Sequence, residues 1–156
     1  MRVFAWALLM SMSSNVLPPL LQAGDSGSRA SYVGGTVAAL PSKSEGKLNT
    51  TDQDVFLFRT KKAAVRVPYE KITTLEYGQK VNRRYAEAVL ISPVLLLAKK
   101  RHHFLTVGYT DEQGHQQAMV FEVPKGEIRS VLVGLEAKTG RKVEFQDEEA
   151  RKAGKG

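Results

Sequence analysis

Turn residues cut most of this chain into short lengths. From Tyr32 to Tyr77 and again from Phe104 to Val123, the β-favouring segments are each closed by Gly, Pro or a polar cluster. Only the stretch after Val123 repeats its apolar residues at helical spacing. Segments this short hold strands more readily than helices, because a helix of one or two turns is marginal in water. The first candidate strand is Tyr32 to Leu40, closed by Pro41 and the polar run Ser42 to Gly46. Lys47 to Thr51 is a weaker candidate. Val55 to Phe58 is continuously apolar, as suits a strand buried on both faces. Val65, Val67 and Tyr69 alternate with Arg66 and Pro68, and the proline predicts that this strand lies at an edge or ends there. Ile72 to Tyr77 follows and ends at Gly78.

Phe104 to Tyr109 and Gln116 to Val123 flank Asp111, Glu112, Gln113 and Gly114, a turn composition that predicts a hairpin. Ile128, Val131, Leu132 and Leu135 then lie on one helical face. Glu127 suits the positive end of that helix, Lys138 the negative end, and Gly140 the C-terminal cap. The expected fold is mainly β with one helix: a small barrel or sandwich of about seven strands, its open end capped by a C-terminal amphipathic helix.

The N-terminus reads differently. Arg2 precedes an apolar run from Val3 to Met12, and Leu17 to Ala23 leads to a small residue, the order of an export signal cleaved near Ala23, with a second candidate site after Ala30. Ser11, Ser13, Ser14, Asn15 and two prolines break the run below the roughly 20 apolar residues a spanning helix needs, so no spanning segment is expected in the mature chain. The expected product is exported, periplasmic or secreted. The expected organisation is a signal at 1–23, a flexible leader at 24–31, one domain at 32–146 and a charged, disordered tail at 147–156. With no cysteine there is no disulfide framework, thiol nucleophile or thiolate metal site. The net charge is +7, and removing residues 1–23 lowers it by only one, at Arg2. That balance favours anionic partners.

The stretch GKLNTTDQDVFLFRTKKAAVRVPYEKITTLEYG resembles the GRAM and bacterial PH-like domains: a glycine, a short strand, an apolar strand, a basic turn, a strand ending in VPY, then KITTLEYG. With the hairpin and the helix included, the resemblance runs over about residues 46–138. It implies a small barrel closed by a C-terminal helix and used as a non-enzymatic binding module. The chain departs from that pattern in an insert spanning 80–101.

The insert is the sharpest chemical feature. Val89, Leu90, Ile91, Val94, Leu95, Leu96 and Leu97 form its apolar centre, with Lys80, Arg83 and Arg84 before it and Lys99, Lys100, Arg101 and His102 after it. One reading is a core or lid segment with solvated basic ends. A second is an interfacial loop whose apolar part enters a membrane while the cations meet anionic headgroups, and a third is a partner-binding patch.

His102, His103 and His115 could meet in space, but adjacent histidines on a strand face opposite ways and no HExxH spacing accompanies them, so no metal is expected. The Gly24, Asp25, Ser26 and Gly27 run imitates a protease nucleophile loop but precedes every partner such a serine would need. Glu148 and Glu149 read as a solvated pair, and Asn49, Thr50 and Thr51 match a glycosylation acceptor. Neither a catalytic set nor a cofactor is expected. The expected function is contact with anionic lipid headgroups or an envelope protein through the insert. The alternative is a structural or protein-interaction domain without lipid affinity; nucleic acid conflicts with export.

Overall fold

A computed structural model of the chain describes residues 26–80 and 102–155. The export signal with its cleavage point near Ala23, and the insert from residue 81 to 101, lie outside the described residues. The chain runs β1 (Ser28–Gly35), β2 (Ser44–Asn49), β3 (Val55–Thr60), β4 (Ala64–Pro68), a 3-10 turn (Tyr69–Lys71) and β5 (Ile72–Gly78). It continues with β6 (Phe104–Thr110), β7 (Gln116–Glu122), α1 (Lys125–Thr139), β8 (Glu144–Phe145) and α2 (Glu148–Lys155). The fold is β-rich with a C-terminal helix, as its sequence pattern predicts.

The described strands form a single sheet in the order β4-β3-β2-β1-β7-β6-β5-β8. Its pairings are antiparallel except the short parallel one between β5 and β8. Curvature follows from one connection. β4 and β5 stand six places apart in that order, roughly 29 Å across a flat sheet at about 4.8 Å per strand. Yet a 3-10 turn of three residues joins them, and at about 2 Å per residue it spans only about 6 Å. The sheet must therefore curl until its ends approach. Bulges at Tyr32/Gly34 in β1 and Ile72/Thr74 in β5 supply local twist on either side of the β6–β7 hairpin. No ladder joins β4 to β5 or β8, so the result is one curled open sheet, neither two stacked sheets nor a closed barrel.

The core fills the concave side. Tyr32, Phe56, Phe58 and Phe121 pack their rings there at centroid separations of 4.8 to 6.5 Å. Leu48, Leu75, Leu105, Val107 and Met119 join them. α1 covers the mouth with Ile128, Val131, Leu132 and Leu135, the four residues whose spacing predicts the helix, all buried. Its C-cap is Gly140 at φ 67, a left-handed conformation that only glycine adopts without strain, and the Gly140 N–H donates to the Glu136 carbonyl.

Three boundaries differ from the sequence expectation. β1 begins at Ser28, inside the stretch read as a leader, because Ser28, Arg29, Ala30 and Ser31 pair with β2. It ends at Gly35, short of Leu40, where the turn to β2 starts. The end of the chain, read as a charged, disordered tail from residue 147, forms α2 just after β8. Asp147 Oδ1 accepts from the Ala150 N–H at 2.7 Å and so caps α2. Ala150 is fully buried, and Gly154 sits against the Tyr77 and Phe145 rings.

Candidate functional site

The insert leaves and rejoins the domain at one place. β5 and β6 stay in register up to the pair Gly78 and Phe104, so both ends of the insert emerge from the same end of the hairpin. Of the residues predicted to bind an anionic surface, Lys80 is described and exposed, and His102 is half-buried. Arg83, Arg84, Lys99, Lys100 and Arg101 lie outside the described residues. So do Val89, Leu90, Ile91, Val94, Leu95, Leu96 and Leu97 of the apolar centre.

Two histidines pin the returning end. As neighbours in an extended segment, His102 and His103 point to opposite faces. His103 stacks on Tyr77 with ring centroids 5.9 Å apart and planes 9° from parallel. Its Nδ1 lies 2.5 Å from the Tyr77 hydroxyl, and its carbonyl accepts from the Val123 N–H at 2.8 Å. Burial holds the His103 imidazole below the usual histidine range, with the charges of Lys125 and His102 acting in the same direction. On the other face His102 Nδ1 lies 2.5 Å from Glu122 Oε1. Both histidines are thus partly buried and partnered.

His115 is elsewhere. It stands at the turn end of the β6–β7 hairpin, a full strand length from His102 and His103, where Asp111 Oδ1 accepts from its N–H at 2.8 Å. The three histidines do not meet. Among the described residues no three His, Asp or Glu side chains are grouped as a metal cage requires, and no helix is long and apolar enough to cross a membrane. Glu148 lies on the first turn of α2, where Arg151 holds it at 2.6 Å.

A second charged region was not legible in the chain. Ala30, Leu48 and Phe58 point into the core, so their neighbours Arg29, Lys47 and Arg59 point outward. Arg29 is in register with Lys47, and Lys47 with Arg59. Three cations therefore form a row across three strands, on the floor of a groove of about 930 Å³. Arg29 Nε donates to Glu127 Oε1 at 2.9 Å, which ties this row to the start of α1. Partial burial opposes charge on Glu127, but the hydrogen bonds from Arg29 outweigh it and hold the carboxyl below its ordinary value. The only signal in the sequence is that each cation neighbours an inward apolar residue; the alignment itself depends on register. Compared with known proteins, the chain matches no family model and no curated sequence.

Proposed function

We propose that this protein is an exported, non-enzymatic PH-like binding module that contacts an anionic membrane surface through its basic-flanked insert. The observation that carries this reading is the pairing of Gly78 with Phe104. Lys80, Arg83 and Arg84 follow that pair within six residues, and Lys99, Lys100, Arg101 and His102 precede it within five. At about 3.4 Å per residue, six residues reach at most roughly 20 Å, so chain length alone bounds how far the backbone of each of these residues can lie from that pair. Two basic clusters far apart in sequence thus act at one end of the molecule, with the apolar residues Val89 to Leu97 between them.

Each cation near an anionic surface contributes about 1 kcal/mol, so the group is sufficient for reversible attachment once apolar side chains add retention. The fold itself supports the PH-like reading: a curled β sheet whose mouth is covered by a C-terminal helix. Co-sedimentation with phosphatidylcholine vesicles, with and without phosphatidylglycerol, tests the proposal. The wild type should pellet only with the anionic vesicles, and Leu96→Asp should weaken that binding at every salt concentration while leaving the thermal transition in place. If Leu96→Asp instead unfolds the domain, and the wild type ignores anionic vesicles, the insert is core and the surface reading is lost.

A further inference from the structure

The groove over β1, β2 and β3 carries charge of both signs in adjacent rows. Arg29, Lys47 and Arg59 form the first. Two residues further along β1, Ser31 is in register with Glu45 on one side and Glu122 on the other. The second row thus places two carboxylates about a serine, about 7 Å from the first by strand geometry. Lys61, in the turn after β3, also lines the groove. Among the described residues Arg59, Lys61 and Glu45 make no ion pair.

Arg29 is already engaged by Glu127, so the charge this face holds for an occupant is that of Arg59, Lys61 and Glu45. A polyanion is a poor fit, since it would lie against Glu45. An extended peptide is also a poor fit: the floor is the face of three hydrogen-bonded strands and offers no ladder groups for an added strand. A small molecule bearing an anion and a cation a few ångströms apart matches both rows. Lysine and arginine suit a phosphate, and a carboxylate suits an ammonium.

We infer that this groove is a headgroup site for a phosphate–amine zwitterion of the phosphoethanolamine type, carried on a lipid, with the phosphate held by Arg59 and Lys61 and the ammonium by Glu45. The lipid source rests on the surface-binding reading above; the chemistry of the groove does not. Continuity with the insert favours that source. Glu122 lines the groove and also bonds His102, so the groove opens beside the base of the insert.

Calorimetric titration of the protein with O-phosphoethanolamine, inorganic phosphate and ethanolamine separates the cases. O-phosphoethanolamine should bind more tightly than either fragment. Arg59→Gln should weaken it by about tenfold or more, the loss of a charge-assisted hydrogen bond. Glu45→Gln should bring O-phosphoethanolamine down to the level of inorganic phosphate without weakening phosphate itself. Both substitutions are on the surface, and an unchanged thermal transition confirms that each variant is folded. Equal binding of phosphate and O-phosphoethanolamine, or indifference to both substitutions, overturns the site. Adding phosphatidylethanolamine to the vesicles should raise binding of the wild type but not of Arg59→Gln. If the soluble headgroup binds as stated while the lipid makes no difference, the lipid assignment is overturned whether or not the protein binds anionic vesicles.

Discussion

Tyr69 and His103 titrate in opposite directions away from their ordinary values, and each makes stability depend on pH in its own window. Burial pushes the Tyr69 hydroxyl from an ordinary 10.0 up to about 12. The folded state therefore keeps its proton where the unfolded chain has lost it, and stability falls as pH rises from about 10 towards 12. Among the described residues that hydroxyl is buried with no hydrogen-bond partner, and a stranded polar group costs about 1–3 kcal/mol. Tyr69→Phe should raise the denaturation free energy at neutral pH by about 1 kcal/mol and lessen the alkaline loss without removing it, because burial also raises Tyr32, Tyr77 and Tyr109. His103 lies below its ordinary value, so the unfolded chain binds a proton first as pH falls through about 6.5, and stability drops there. The lowered carboxylates of Glu127 and Asp111 act only at more acid pH. Urea titrations at steps from about pH 7.5 to 5.5 should show the His103 loss, and His103→Gln should abolish it; an unchanged profile would detach the histidine from the fold.

At the scale of elements, α1 was legible and α2 was not, for reasons that can be named. Ile128, Val131, Leu132 and Leu135 show a helical face by apolar spacing, and burial of that face supplies the energy. Leu132→Ala should cost about 2–5 kcal/mol in chemical denaturation, the range for a buried leucine. A cost under about half a kcal/mol, typical of a surface change, would remove α1 from the core. In α2 the buried residues are Ala150 and Gly154, small side chains that leave no hydrophobic pattern among their charged neighbours. The available signal was local: Asp147 as a cap, acids in the first turn, and small residues four apart. Ala150→Asp should place a charge against the core and lower the thermal transition by several degrees, on the order of 2–8 °C per kcal/mol across domains of about 60 to 250 residues; no shift would show α2 to be a fringe. The β6–β7 hairpin was legible from its turn. β1 was legible only from Tyr32 onward, because Arg29 and Ser31 look like leader until register pairs them with β2 and β7.

For the whole molecule, periodicity reveals which segments are strands but not which strands are neighbours. The edge position of β4 was foreseen from Pro68 because proline cannot complete a ladder. That the sheet of the described strands curls follows from a three-residue connection whose meaning appears only once the strand order is known. The row Arg29, Lys47 and Arg59 was illegible for the same reason: its members are distant in sequence and aligned only by pairing. The insert was the opposite case, since its charge and apolarity are contiguous. The most direct test changes Arg83, Arg84, Lys99, Lys100 and Arg101 together to Gln and measures co-sedimentation with phosphatidylglycerol vesicles across a salt series. Surface attraction through these cations predicts that wild-type binding falls as salt rises, while the variant binds weakly and with little salt dependence. A variant that binds like the wild type at every salt concentration would contradict the account.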